Sequence, residues 1–380
     1  MDFSLSAEQR QIEEMVSEFV DEEIKPRAAE IDETDEFPHD LVSEMGELGL
    51  MGMPFAEEYG GAGLDYHSYA IGLSEISRGS GGLGTVVAAH ISLAGNMLAE
   101  FGTEAQKEEY LTPLAEGDDI GAFALSEAGA GSDVPAMETT AEKDGDEYVV
   151  DGGKLWISNG SVADTITLFA KTDPDAGNKG ISSFVVRPDE DDGFHVEGTE
   201  DKLGDKGCPT AELRFSDMRI PEERRLGEEG RGFVHALKTL NGGRITIAAR
   251  GVGIAQAALD EALAYAQDRE QFEQPISEFQ TIQHKLADMD TKLQAARMLM
   301  HRAADLKIRG EEFRKESAQA KLYASEVSRE VANEGIQIHG GYGYTKDFPA
   351  ERFYRDAKLN EIYEGTSEIL RNTIADNLLD

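Results

Sequence analysis

The segment Phe123-Ala124-Leu125-Ser126-Glu127-Ala128-Gly129-Ala130-Gly131-Ser132-Asp133 combines small residues with two hydroxyls. Small residues let backbone N–H groups approach a ligand closely, and Ser126 and Ser132 add hydroxyl donors. A second segment, Trp156-Ile157-Ser158-Asn159-Gly160, sets an aromatic plate two residues from a hydroxyl, which strict strand alternation puts on one face. A glycine-rich loop alone is weak evidence, and a lone Trp is more often core than cofactor wall. Together they shift the balance toward a binding site.

Other chemistries find less support. No Rossmann or P-loop fingerprint is present: Gly251-Val252-Gly253 sits inside a helical pattern and lacks a third glycine, so close helix packing is expected there. Nicotinamide is therefore not the expected cofactor. The histidines are scattered without metal-ligand spacing, and His339 reads as a packed or loop residue. Cys208, the one cysteine, reads the same way and excludes an intrachain disulfide or a cysteine metal cluster. No metal is expected.

Composition narrows the partners. A chain of 380 residues with 40% hydrophobic content is long enough for two or three structural domains. No run of eighteen apolar residues suggests a membrane span, and Met1-Asp2-Phe3-Ser4-Leu5-Ser6 lacks the basic and apolar regions of a signal peptide. A cytoplasmic location follows as the expectation. Asp+Glu 75 against Lys+Arg 36 gives a net charge of −39. Such a surface repels nucleic acid and anionic lipid, so neither is an expected partner. Because the acids are spread along the chain rather than gathered in a tail, adaptation to molar intracellular salt is expected, where screening suppresses self-repulsion.

Three textures follow one another, so the fold class is α+β: an N-terminal helical domain (1–118), a middle antiparallel β domain (119–225) and a C-terminal helical bundle (226–380). Ser6-Ala7-Glu8-Gln9 and Thr103-Glu104-Ala105-Gln106 have the form of capping boxes, and Ile12, Met15, Val16, Phe19 and Val20 recur at helical spacing. The glycines of Glu57–Gly63 mark a loop. In the middle, Glu147–Val150 runs into an expected turn at Asp151-Gly152-Gly153, followed by strands at 154–158, 165–170, 183–186 and 212–215. Further on, Leu286, Met289, Leu293, Ala296 and Met300 form one apolar stripe, and Ala320, Ala324, Val327 and Val331 form another.

With these segments in order, the chain resembles the acyl-CoA dehydrogenase family over essentially its full length. Further matches are Lys202-Leu203-Gly204 with Pro209–Leu213, Leu226–Gly230, and Arg269-Glu270-Gln271-Phe272 with Pro275-Ile276. The strongest are Gln337-Ile338-His339-Gly340-Gly341-Tyr342-Gly343-Tyr344 and Ile362-Tyr363-Glu364-Gly365-Thr366-Ser367-Glu368. The resemblance is nearest to short-chain or butyryl-type members.

The resemblance implies FAD as cofactor and α,β-desaturation of an acyl-CoA thioester to the trans-2-enoyl product. The implied flavin contacts are Phe123, Leu125, Ser126, Ser132, Trp156, Ile157 and Ser158, with Thr366 and Glu368 returning to the ring. Arg269, Phe272, Gln280, Gln337, Gly340 and Gly341 are implied at the pyrophosphate and adenine end of FAD, from a neighbouring subunit, so a homotetramer is expected. Ser132, Asn241, Arg244, Tyr363 and Gly365 are implied along the acyl-CoA. In the family, the backbone N–H of the base residue and a ribityl hydroxyl stabilise the developing thioester oxyanion. Glu364 is implied as the base, with burial beside the acyl chain raising its pKa; without the flanking motif it would read as a solvated acid at a helix start. Gly365 is expected to leave room for the thioester. Some relatives carry the base just before the arginine equivalent to Arg244, but here that position is Gly243, which cannot abstract a proton.

Departures from the family pattern do not touch the implied chemistry. Glu273 stands where a glycine is usual and is expected to point outward; Lys206 and Cys208 replace arginine and serine, and Asn241 stands where aspartate is frequent. The implied electron acceptor is an electron-transfer flavoprotein. Two alternatives are an acyl-CoA oxidase, which the chain length disfavours, and a non-catalytic flavin or acyl-CoA binding member, which Glu364 disfavours. Chain-length selection is expected to lie with side chains near 89–98 and 248–253.

Overall fold

The structure is a computed structural model that describes residues 4–379; Met1 to Phe3 of the N-terminal stretch, and Asp380, lie outside the described residues. Both capping boxes form. Ser6 Oγ accepts from Gln9 N at 3.1 Å while Ser6 N donates to Gln9 Oε1 at 2.9 Å. Thr103 and Gln106 repeat the exchange at 3.3 and 2.8 Å. Each box satisfies two of the N–H groups that a helix start leaves free.

Helices occupy the chain as far as Glu116, where Gly117 ends the last of them in the left-handed conformation (φ 82). Among them is a continuous helix, Gly81–Phe101, long and apolar enough by composition to cross a membrane; 94% of its most apolar window is buried inside the protein. Here that apolarity serves the core. Its middle, Ala88–Gly95, widens to π-helical turns.

The middle of the chain is one eight-stranded sheet. Its strands are β1 (Gly121–Ala124), β2 (Thr140–Asp144), β3 (Glu147–Ser158), β4 (Thr165–Lys171), β5 (Ile181–Val186), β6 (Phe194–Thr199), β7 (Thr210–Pro221) and β8 (Arg225–Leu226), in the order β6-β7-β3-β2-β4-β5-β8, with β1 also on β4. Two findings correct the sequence-based expectation. The sheet is mixed rather than antiparallel, because β1 lies parallel to β4 and Thr140 of β2 pairs in parallel with Lys171. The intervening chain crosses over between them instead of folding back as a hairpin. The expected turn at Asp151-Gly152-Gly153 is absent: β3 runs straight through it against β7, with a register shift between Val150 and Gly152. Gly152 takes φ 148, and a Cβ there would lie 2.5 Å from Thr139 Oγ1. A bulge, not a reversal, is what the glycine permits.

From Gly232 helices return. Gly232–Asp268, Gln280–Ile308 and Arg314–His339 pack together, followed by Ala350–Leu359 and Ser367–Leu379. The two expected stripes face inward: Met289, Leu293, Ala296 and Met300 are buried, as are Ala320, Ala324, Val327 and Val331, while Leu286 is partly buried against the same core. Close packing at the Gly251/Gly253 pair is direct. A Cβ on Gly253 would stand 2.1 Å from Ser74 O, and one on Gly251 3.0 Å from Ala324 O.

One buried cation ties the three regions together. Arg250 donates to Gly81 O at 3.1 Å and Asp356 O at 3.3 Å, and it also contacts Asp205 and Asn360. Asp356 accepts from Asp205 N at 2.7 Å. Burial pushes Asp356 up to about 6, against the pull of Arg250. Charge compensation of this kind lets a guanidinium sit in a core, and here it anchors the loop that leads to Glu364.

Candidate active site

Glu364 lies in the turn between the helices Ala350–Leu359 and Ser367–Leu379, in the left-handed conformation (φ 50) and followed by Gly365 at φ 97. The turn is held by backbone bonds from Ile362 N to Leu359 O and from Ser367 N to Glu361 O, at 2.8 and 3.0 Å. Thr366 Oγ1 then accepts from Ile369 N at 3.3 Å and caps the last helix. A cap and two left-handed residues together aim the Glu364 side chain inward.

The residue is half-buried, but one carboxylate oxygen is closed off from solvent. Glu364 Oε2 is buried and has no hydrogen-bond partner. A Cβ on Gly243 would lie only 2.2 Å from it and 3.3 Å from Leu93 Cδ2. The carboxylate thus fills the space that Gly243 leaves on the Gly232–Asp268 helix, beside the apolar wall of the Gly81–Phe101 helix. Burial raises its pKa to about 7, with Lys321 and Arg244 opposing the rise. A carboxylate poised near neutrality with an unused lone pair is built to accept a proton.

Around it, Arg244 is buried and donates to Asn241 Oδ1 at 2.9 Å, leaving its own Nε without a partner. Burial lowers its pKa to about 10. The Tyr363 hydroxyl is buried and unpartnered too, and its ring lies 5.8 Å from the Arg250 guanidinium. At Gly365 a Cβ would meet only ordinary contacts, Leu370 Cδ2 at 3.6 Å and Arg244 Nη2 at 3.9 Å. The positive φ, rather than the space expected from the sequence, is what asks for glycine there.

Residues 123–132 and 155–158 come together as a second cluster. Leu155 N donates to Ser126 O at 2.9 Å. Lys154, fully buried, reaches Glu127 Oε1 at 2.7 Å and Leu125 O at 3.1 Å, and Glu127 also accepts from Glu138 N and Thr139 N. Burial brings Lys154 down to about 8 despite the carboxylate. This ion pair was not singled out from the sequence, since nothing in spacing alone tells a buried lysine from a solvated one. Phe123 and Leu125 are buried, Ser126 and Ser158 half-buried, and Ser132 exposed. Ile157 turns into the β core, so only its backbone is available to a ligand.

Strict alternation is broken at Trp156. The register shifts between Lys154 and Ile157, and Trp156 has φ 65. The bulge turns the indole outward, to 57% exposure. Gly129 and Gly131 have nothing within 4 Å of a would-be Cβ. An open backbone cradle beside an exposed aromatic plate fits a planar, polar-edged ring system.

Arg269, Gly340 and Gly341 lie elsewhere, lining a cavity of about 500 Å³ with Tyr265, Ile338 and Tyr342. None of residues 123–158 lines it. His339 is buried and stacked on Tyr265 at 4.2 Å. Gln280 and Gln337 are exposed, as are Thr366's neighbour Glu368 and the tip residue Phe272, which is 87% exposed. The hairpin behind that tip pairs Glu270–Gln271 with Gln274–Pro275, and its two central residues, Phe272 and Glu273, have φ 54 and 66. Positive φ at both positions is the requirement of a tight two-residue turn, and it explains why a glycine is favoured at 273. Glu273→Gly is expected to raise stability by about 0.5–1 kcal/mol, read as a shift in thermal midpoint.

Descriptions of the acyl-CoA dehydrogenase N-terminal, middle and C-terminal domains match residues 6–118, 122–218 and 230–379 in turn. The chain belongs to the acyl-CoA dehydrogenase family. Members are FAD-dependent oxidoreductases, and this protein is an enzyme of that class. It is 48% identical over 375 residues, 99% of each chain, to the short-chain specific acyl-CoA dehydrogenase of Clostridium acetobutylicum. Butyryl-CoA dehydrogenase from Megasphaera elsdenii superposes with a TM-score of 0.98 at 41% identity, covering 100% of both chains. A chain in the structure of the electron transferring flavoprotein of Acidaminococcus fermentans also gives 0.98, at 45% identity and 100% coverage of both.

Proposed function

We propose that this acyl-CoA dehydrogenase desaturates a short-chain acyl-CoA to the trans-2-enoyl thioester, with Glu364 removing the α-proton. The observation that carries this is the buried, unpartnered Glu364 Oε2 set against Gly243. FAD, when bound, supplies the acceptor for the β-hydride. Phe123, Leu125, Ser126, Ser132, Trp156, Ser158 and the backbone at Ile157 would hold its ring end, together with Thr366 and Glu368 at the start of the last helix. Arg244 and Asn241 bind the thioester's CoA portion, Tyr363 and Gly365 flank its acyl end, and the amide of Glu364 steadies the thioester oxygen as charge develops there. Apolar Leu93 beside the carboxylate excludes water, which keeps the base reactive. An electron-transfer flavoprotein is the proposed acceptor.

Arg269, Phe272, Gln280, Gln337, Gly340 and Gly341 are proposed to complete the cofactor site of a neighbouring subunit in a homotetramer. That Trp156 does not line the cavity holding Arg269, Gly340 and Gly341 supports this, as do the exposed Phe272 and Tyr344, each 87% accessible in the single chain.

The deciding experiment is anaerobic flavin absorbance titrated with butyryl-, octanoyl- and isovaleryl-CoA. Bleaching should be fastest with butyryl-CoA. Binding of all three without bleaching would point to a different acyl group or to a binding role, and rapid reoxidation by oxygen would favour an oxidase.

Because the base acts only when ionised, and burial holds it near 7, the bleaching rate should climb about tenfold per pH unit below that point and level off above it. Stopped-flow rates that stay flat from pH 5.5 to 8 would contradict the assignment.

The acidic surface is proposed to be an adaptation to high salt. With a net charge of −39, lowering salt from molar to about 0.01 M extends the screening length from about 3 to about 30 Å and lets the surface charges repel. Unfolding or dissociation on dialysis, followed by circular dichroism and light scattering, is the expected result. An unchanged thermal midpoint in dilute buffer would argue for a merely solubilising coat.

A further inference from the structure

The Arg314–His339 helix carries a second stripe beside its apolar one. Lys321, Ser325 and Ser328 are all fully buried, at i, i+4 and i+7. Spacing of this kind puts them on one face, and that face holds the Glu364 loop. Ser325 Oγ donates to Asn360 O at 2.9 Å, and Asn360 Nδ2 donates to Ser328 Oγ at 3.3 Å. Lys321 Nζ donates to Tyr363 O at 2.7 Å and to Gly365 O at 2.5 Å.

These last two acceptors are the carbonyls immediately before and after Glu364. They converge on one ammonium only because Glu364 and Gly365 take φ 50 and φ 97. A left-handed conformation at a non-glycine residue is unfavourable and persists only where surroundings enforce it. Lys321 is placed to enforce it. No carboxylate forms an ion pair with Lys321 among the described residues, although Glu364 is its leading favourable charge. A lysine buried without such a pair is expensive to keep in a core, and packing alone could have been met by methionine.

We propose that Lys321 is the positioning residue of the base: it clamps the backbone on both sides of Glu364 and sets a titratable cation beside it. This rests on Glu364 being the base. The groups facing Glu364 are Lys321 from this helix, Arg244 from Gly232–Asp268, and the hydroxyls of Tyr66 and Tyr69 from Tyr66–Gly79, with Tyr363 on its own loop. Glu361 faces Lys321, and Arg314 faces Arg244. Of these, only Lys321 touches the loop's carbonyls and faces the carboxylate as well. Burial brings its own pKa down to about 7 while Glu364 holds it up, so the charge states of the two groups are linked. A neutral amine still offers two N–H groups, one for each carbonyl, so the clamp survives titration even when the charge does not.

The test uses flavin-loaded, full-length K321M and K321Q beside wild type and E364Q, with bleaching by butyryl-CoA followed from pH 5.5 to 9. In K321M the maximal bleaching rate should fall about 100-fold, as misplacing a reacting group by about 1 Å does. The apparent Kd for butyryl-CoA should stay within about threefold, and the rising limb should move about one unit to higher pH. K321Q keeps N–H donors without the charge; its limb should move likewise with a smaller loss of maximal rate. It also serves if K321M does not fold. A folded variant with the wild-type limb and rate overturns the role of Lys321. If wild type itself bleaches no faster than E364Q, the assignment of the base fails instead, whatever Lys321 does.

Discussion

Glu364→Gln should give a folded, flavin-loaded enzyme that binds butyryl-CoA yet bleaches about 10²- to 10⁴-fold more slowly than wild type. Glutamine has the same shape and fills the same space against Gly243, but its amide cannot take up the α-proton at neutral pH. Stability should hold or rise. In the wild type a carboxylate is buried with Oε2 unpartnered, and an unsatisfied charged acceptor is destabilising. Rate and thermal midpoint are therefore expected to move in opposite directions, as at sites where function is bought with strain. Thioester binding, followed by the perturbation of the flavin spectrum, separates lost chemistry from lost affinity. Bleaching at the wild-type rate would place the base elsewhere.

Gly243→Ala should be nearly as severe for activity and harmless to the fold. The added Cβ would come within 2.2 Å of Glu364 Oε2 and 3.2 Å of its Cδ. The clash is with the far end of a flexible side chain, so the protein can relieve it by swinging the carboxylate away. That relief moves the base by about 1 Å, which is expected to lower the bleaching rate about 100-fold. Meanwhile alanine in a helix interior is favoured over glycine by about 1 kcal/mol, so the thermal midpoint should not fall. The added methyl would also come within 3.3 Å of Leu93 Cδ2 on the facing helix, a contact small enough that KM for butyryl-CoA should rise less than kcat falls. Unaltered kcat would show that the carboxylate tolerates displacement and does not act from its observed position.

Comparison with the sequence shows where local patterning suffices. Capping boxes at Ser6 and Thr103, and the apolar stripes of 286–300 and 320–331, are local: a helix start or a buried face needs only residues within a few turns. They appear where their periodicity puts them. Long-range pairing decided what local patterning could not. Asp151-Gly152-Gly153 has turn chemistry, yet β7 pairs alongside both flanks of β3 and stretches the segment into a bulge. The parallel placement of β1 on β4 joins residues forty-odd positions apart, and no alternation of side chains encodes direction. Trp156 was legible as a ligand-facing aromatic, but its outward turn comes from a bulge, not from alternation.

The candidate site divides the same way. The sequence by itself determined the family and singled out Glu364 as the candidate base, because the ordered motifs around Trp156, Gly340 and Glu364 are strings of residue types. Tertiary structure alone decided that one oxygen of this acid is buried, that Gly243 makes its space, and that Lys321 grips the carbonyls beside it. Each of those facts joins residues from different helices, and an ionisable side chain owes its pKa to the neighbours that folding brings, not to those that precede it in the chain.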